Sequence, residues 1–197
     1  MMIDLTLILF SYLVGSLASA VLISRLMGLP DPRAYGSGNP GATNVLRLGN
    51  RCAAVIALLG DLLKGLLPVL LALALDRPNL TVAAVGLAAF LGHLYPVFFS
   101  FRGGKGVATS LGVLLALSWE VGLACAFTWL FAALFSRFSS LAALCAAFMA
   151  PLYMHWFGKP GEFQIVALLM TSLLVWRHRI NIQNLRNGTE SKIGVGG

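Results

Sequence analysis

The feature that most restricts this chain is its succession of apolar runs, at residues 3–27, 53–75, 80–99, 107–135, 141–157 and 163–176. A helix that crosses a bilayer needs about 20 mostly apolar residues. The first three runs reach that length. The fourth exceeds it and carries Ser118-Trp119-Glu120 in its middle, so it divides into two. The last two are held apart by Gly158-Lys159-Pro160-Gly161, and Pro and Gly end helices. The chain is 58% hydrophobic and only 11% charged, whereas a soluble domain carries about 25% charged residues. These values exclude a soluble domain with a large core. They predict an all-α, polytopic membrane protein, folded as one domain over residues 1–197. The first run is too long for a signal sequence and opens with Asp4 rather than a basic segment, so it reads as a retained span.

Charge fixes the number and sense of the crossings. Cytoplasmic loops are rich in Lys and Arg. With seven helices, Arg33, Arg47, Arg51, Arg102, Lys105, Arg137, Arg179, Arg186 and Lys192 fall on one side, and Arg25 and Arg177 end helices facing the same way. The other side keeps Arg77 and Lys159, together with Asp4, Asp76, Glu120 and Glu162. Six helices would put the basic tail outside. The sequence therefore predicts seven transmembrane helices, some of them short, with a periplasmic N-terminus and a cytoplasmic C-terminus. The same rule accounts for the net charge of +7 without nucleic acid as a partner. Cys52, Cys125 and Cys145 are odd in number and share no pair spacing, so they predict neither a disulfide nor a metal site. Gly15, Ser16, Ser19 and Ala20 predict close packing within the first span. The final Val195-Gly196-Gly197 reads equally as a native end or an appended one.

Topology gathers every polar, glycine-rich segment on the cytoplasmic side. Residues 37–44 read Ser37-Gly38-Asn39-Pro40-Gly41-Ala42-Thr43-Asn44. Such a loop is either a polar turn or a nest of backbone N–H groups for an anion. Arg47 lies one helical turn beyond Asn44, and a guanidinium suits phosphate. Gly103-Gly104-Lys105-Gly106 precedes an apolar helix whose first turn holds Thr109. Helix N-termini favour phosphate. This turn is not a nucleotide-hydrolysing loop, because Gly106 follows the lysine where Ser or Thr is needed. His93, shortly before, reads on its own as a satisfied helix histidine. Asp61 and Lys64 lie within the second span, where ionisable groups are costly and functional by default. They form a structural ion pair, or Asp61 steadies Lys64 for an anion. Ser136-Arg137-Phe138-Ser139-Ser140 forms a short connection whose serines either reach the site or, as the sequence alone favours, cap the next helix. In the tail, His178 and Asn181 share a helical face, Ile182 and Leu185 allow a short amphipathic surface helix, and Glu190 follows. His155, beside Trp156, reads as interfacial and noncatalytic.

Taken together, three motifs resemble the bacterial acyl-phosphate:glycerol-3-phosphate acyltransferase family of the PlsY type. They are residues 37–44 running to Arg47, residues 92–109, and His178-Arg179-x-Asn181-Ile182 running to Gly188-x-Glu190-x-Lys192. Asp61-x-x-Lys64-Gly65 fits as well, and the likeness covers nearly the whole chain. The resemblance implies an inner-membrane enzyme with seven helices and motifs facing the cytoplasm. It implies transfer of a fatty acyl group from acyl-phosphate to the 1-hydroxyl of sn-glycerol 3-phosphate, the first acylation of phospholipid synthesis. Lysophosphatidic acid and phosphate are the products. No cofactor and no metal are implied. The partners implied are the two substrates, membrane lipid and the enzyme that supplies acyl-phosphate. The His-x4-Asp signature of acyl-CoA enzymes is missing, since Phe98, Pro160 and Gln183 stand five residues after the three histidines.

The resemblance puts Ser37, Asn39, Arg47, Lys105, His178 and Asn181 in the substrate site, with Ser37, Lys105, His178 and Asn181 as the catalytic set. Gly38, Gly41, Asn44, Lys64, His93, Gly103, Gly104, Gly106, Thr109, Ser140 and Glu190 complete the expected substrate-binding residues. In this reading residues 37–44 hold the donor phosphate and residues 103–106 a second one. Lys105 bridges the two, and Arg47, His178 and Asn181 grip glycerol 3-phosphate. No serine or cysteine stands beside an evident base, so transfer is direct. A transporter for a phosphorylated metabolite fits less well, because no internal repeat is present and the motifs lie at one face. A CDP-alcohol phosphotransferase would need clustered aspartates, and Asp4, Asp31, Asp61 and Asp76 are scattered.

Overall fold

The computed structural model describes residues 1–193, so Val195, Gly196 and Gly197 lie outside the described residues. Ten α-helices follow in order: α1 (Met2–Gly15), α2 (Ser19–Leu26), α3 (Ala42–Arg47), α4 (Arg51–Ala74), α5 (Asn79–Leu94), α6 (Val107–Leu117), α7 (Trp119–Ser136), α8 (Ser139–Trp156), α9 (Gly161–Arg177) and α10 (Arg179–Arg186). Three helical segments are long and apolar enough to cross a membrane: Arg51–Ala74, Asn79–Phe99 and Trp119–Ser136. The bent pairs α1–α2 (47°) and α9–α10 (58°) bring the number to five if each is one span. By length and composition the described helices thus give three to five spans, and the expected seven requires α6 and α8 as crossings as well. α6, with 11 residues, is short for a full crossing.

The first run is not one straight helix. It breaks at Ser16-Leu17-Ala18, where Ser16 Oγ donates back to the Tyr12 carbonyl. Its small residues do serve close packing. A Cβ on Gly15 would overlap the Ala89 carbonyl of α5, and one on Gly92 would overlap the Tyr12 carbonyl. α4 and α6 approach as closely, with Gly65 against Thr109 and Gly112 against Leu62. Small residues are what let helix backbones meet where lipid supplies no hydrophobic drive. The expected break in the fourth run occurs at Ser118, whose hydroxyl accepts from Val121 N and donates to Glu120. The break at residues 157–160 separates α8 from α9.

A main core of Val82, Val85, Phe90, Val113, Val121, Met154 and Met170 joins α5 to α9. A smaller cluster of Ala20, Val45, Ala53, Ala54 and Ala57 seats α2 and α3 on α4. That second cluster anchors the first glycine-rich loop to the bundle. Outward faces are strongly apolar: Phe127, Phe131, Leu134 and Phe135 of α7 are all exposed. Such a surface requires lipid around it.

Candidate active site

The three motifs meet at one end of the bundle. There a cavity of about 760 Å³ is lined by Ser37, Asn39, Gly41, Asn44, Arg47, Lys105, Gly106, Ser140, His178, Asn181 and Glu190. The cavity continues between α6, α7 and α8 as an apolar arm lined by Leu111, Leu114, Cys125, Ala126, Trp129, Ala143 and Ala147. It is thus amphiphilic, with a cationic head and a greasy stem.

Each part of the head is held from elsewhere in the fold. Asn44 is buried, and its side chain closes the first loop. Its Oδ1 accepts from Ser37 N, and its Nδ2 donates to the Pro32 and Tyr35 carbonyls. The amide thereby fixes the loop and has little left to offer a ligand. The expected nest is only partly open, because Gly38 N and Gly41 N also bond within the loop. Gly38 lies off the cavity lining.

The second turn ends at Gly106, whose φ of 90° belongs to glycine and which caps α6. Gly103 and Gly104 do not face the cavity as expected. Their carbonyls accept from Arg177 Nη2 (2.6 Å) and Nε (3.1 Å). The Arg177 guanidinium also lies over the Tyr95 ring. Arg177 thus clamps the turn, a role that the sequence did not signal beyond its place at a helix end. With the turn fixed, Lys105 Nζ donates to Asn181 Oδ1 at 2.6 Å. Asn181 Nδ2 and Ser140 Oγ both donate to Glu190 Oε1, at 2.7 and 2.6 Å. Ser140 therefore reaches the site rather than capping α8, whose N-cap position is Phe138. Ile193 N donates to the Arg137 carbonyl and ties the tail to the connection between α7 and α8, beside the cavity it lines.

His178 sits at the bend between α9 and α10 and is 2% exposed. Its Nδ1 lies 2.8 Å from the Leu174 carbonyl. A carbonyl only accepts, so Nδ1 carries the proton and Nε2 of the neutral ring is the acceptor. Burial lowers the Lys105 ammonium to about 8; Glu190 opposes that shift, while Arg47 and Arg177 add to it. Among the described residues no carboxylate lies within ion-pair distance of Arg47 or Lys105. Together they leave a half-buried positive field suited to anions.

Two other expected binding residues stand behind the cavity. Lys64 is 5% exposed and pairs with Asp61 at 2.8 Å. Thr109 Oγ1 donates to the Asp61 carbonyl. Neither lines the cavity: Lys64 Nζ reaches the Leu17 carbonyl at the break between α1 and α2, and Thr109 Oγ1 is held between the Asp61 carbonyl and His93. His93 does reach the cavity wall, beside Asp61. Arg51, Ser139 and Lys192 also line the head and stand outside the expected set of binding residues, although Lys192 closes the third motif. Among the described residues no group of three His, Cys, Asp or Glu side chains is placed to hold a metal ion.

Comparison with known proteins agrees with this architecture. The family model described as glycerol-3-phosphate acyltransferase matches residues 5–188. The glycerol-3-phosphate acyltransferase of Thioalkalivibrio sulfidiphilus is 56% identical over 98% of this chain and 96% of its own. That of Methylococcus capsulatus is 54% identical over 99% and 98%. Among solved structures, the glycerol 3-phosphate form of PlsY (YgiH), an integral membrane glycerol 3-phosphate acyltransferase, superposes with a TM-score of 0.93 at 41% identity. It is matched over 97% of this chain and 96% of that one. The lysophosphatidic acid form of that enzyme gives a TM-score of 0.91 at 40% identity, over 97% of this chain and 95% of that one. With its apolar helices and amphiphilic cavity, the chain belongs to the glycerol-3-phosphate acyltransferase family, as an integral membrane protein of the PlsY type whose reaction serves phospholipid biosynthesis.

Proposed function

We propose that this chain transfers a fatty acyl group from an acyl-phosphate to the 1-hydroxyl of sn-glycerol 3-phosphate, directly and without an acyl-enzyme. The hydroxyl oxygen forms the ester bond, the acyl carbon–phosphate oxygen bond breaks, and phosphate leaves with the electron pair. The hydroxyl proton passes to His178 Nε2 or to a substrate phosphate oxygen. The products are lysophosphatidic acid and inorganic phosphate. The observation that carries this reading is the joining of a cationic head to an apolar stem in one cavity. Both substrates are anions and one has a long chain. An acyl-phosphate is already activated, so alignment and charge stabilisation are the main tasks.

In this reading Lys105 lies between the two phosphates and neutralises the leaving one. Arg47, His178 and Asn181 hold glycerol 3-phosphate. Ser37, Asn39 and Gly41 bind the donor phosphate, while Glu190 and Ser140 keep Asn181 oriented. The chain forms one domain with seven crossings, namely α1–α2 and α4 through α9. Its N-terminus is periplasmic, and its cavity head and C-terminus face the cytoplasm from a bacterial inner membrane. The enzyme that makes acyl-phosphate is the expected upstream partner. Single cysteines placed near Asp76 and Arg137 should react with an impermeant thiol reagent from opposite sides of the membrane. Reaction from the same side would refute the topology.

The deciding assay supplies purified protein with glycerol 3-phosphate and either acyl-phosphate or acyl-CoA. Stoichiometric phosphate release with the first donor alone supports the reading. Turnover with acyl-CoA, or vesicle uptake of glycerol 3-phosphate without phosphate release, refutes it. His178→Ala separates the two proton acceptors. Retained turnover with a raised KM assigns the proton to the substrate.

A further inference from the structure

Behind the turn that carries Lys105, four polar side chains meet inside the bundle. Lys64 Nζ lies 2.8 Å from Asp61 Oδ1, and both residues are almost fully buried. Lys64 also donates to the Leu17 carbonyl at 2.7 Å, in the break between α1 and α2. Asp61 Oδ1 lies 3.6 Å from His93 Nδ1. Thr109 Oγ1 donates its one proton to the Asp61 carbonyl and sits 3.1 Å from the same Nδ1. The hydroxyl must then accept from His93, so Nδ1 carries the ring proton. Nε2 is left on the opposite edge of the ring, and that edge lies directly under Gly104: a Cβ there would overlap Nε2. The His93 carbonyl also accepts from Gly104 N at 3.1 Å. The next residue is Lys105.

A buried ion pair is a poor way to stabilise a helix bundle, because apolar replacements of similar volume often do as well or better. Inside an apolar span the cost is higher still. Here Lys64 holds Asp61, Asp61 and Thr109 converge on the His93 ring, and that ring lies against one glycine. We propose that Lys64, Asp61 and His93 form a positioning relay for Lys105. Lys64 aligns Asp61, and Asp61 with Thr109 fixes the His93 ring. The ring sets the height of Gly104 and hence the reach of Lys105 Nζ toward Asn181. The residues act through Lys105 and contact no reacting atom. This inference rests on the acyl-transfer reading above for its kinetic arm only.

The test uses the purified full chain and two variants. Asp61→Asn with Lys64→Met removes both charges together and leaves no unpaired ion. His93→Asn keeps an N–H near the Nδ1 position and removes the ring under Gly104. Three quantities are read: the thermal midpoint, kcat and KM for both substrates, and the rate at which an amine-reactive ester modifies Lys105, followed by peptide mass spectrometry. Both variants should keep the wild-type midpoint and KM, lose about 10–100-fold in kcat, and label faster at Lys105. Wild-type kcat and labelling in either folded variant would overturn the relay. So would a defect confined to His93→Asn, which would mean direct contact of His93 with substrate. A fall in midpoint with unchanged kcat per folded molecule would leave only a structural role and also overturn it. If the wild type fails to turn over acyl-phosphate, the acyl-transfer reading falls, and the labelling rates still decide the relay.

Discussion

The two ends of the bundle are built from the same kinds of turns and treat charge in opposite ways. At the end away from the cavity, bases are matched to acids: Lys159 pairs with Glu120 at 3.1 Å and Arg77 approaches Asp4 at 3.7 Å. At the cavity end Arg33 is matched to Asp31. Arg47 and Lys105 meet no carboxylate within ion-pair distance among the described residues, and Arg177 is bonded to backbone carbonyls. At the end away from the cavity both bases therefore have an acidic partner. The other end is left positive and partly desolvated, which is costly unless an anion arrives to neutralise it. The contrast separates charge that shapes the fold from charge held for ligands.

The sharpest way to break that contrast is at Lys105. Lys105→Met should lower kcat/KM by about 10²–10³-fold, as measured by initial rates of phosphate release, because it removes a preorganised charge from the reacting centre. A loss no larger than that from a far-end lysine would erase the distinction. Arg47→Ala should come next. It should raise KM for glycerol 3-phosphate roughly 10–100-fold while leaving kcat nearly intact, the signature of a charge-assisted hydrogen bond used in binding.

A smaller effect is expected from pH. Lys105 is lowered to about 8 by burial. It is charged below that value and neutral above it, so kcat/KM should fall on the alkaline side, by about fivefold between pH 8 and 9. Lys105→Arg should move that limb upward, since a guanidinium does not titrate there. A limb unchanged in the arginine variant would assign it to another group. The smallest effect belongs to the far end. Glu120→Gln combined with Lys159→Met should leave both kinetic constants unchanged, because a solvent-accessible pair contributes little and this one lies away from the cavity. A clear loss of activity would mean that the two ends are coupled through α7 and α8.

Much of this organisation is legible in the residues. The apolar runs require lipid, and the basic loops on one side of them bring the three glycine-rich motifs to one face. Ser118 and residues 157–160 mark their breaks through local chemistry, and α10 follows from the spacing of Ile182 and Leu185. The break at Ser16-Leu17-Ala18 was not legible, because Ser and Ala are ordinary residues in a membrane helix. There the bend is accompanied by the bond from Lys64 to the Leu17 carbonyl, 47 positions away. Lys64 and Thr109 were misplaced for a related reason. A polar side chain near a motif looks like a ligand contact until packing shows which way it points.

What the sequence determined by itself is the solvent, the class and the gathering of the motifs at one end of the bundle, because hydropathy, helix breakers and loop charge act locally or additively along the chain. What the tertiary structure decided is which groups meet. Lys105 bonds Asn181 across 76 positions and Arg177 clamps Gly103 across 74. Such pairings depend on how closely the helices approach one another and at what angle. The helices are set by glycine contacts such as Gly65 against Thr109, and no local pattern encodes that geometry.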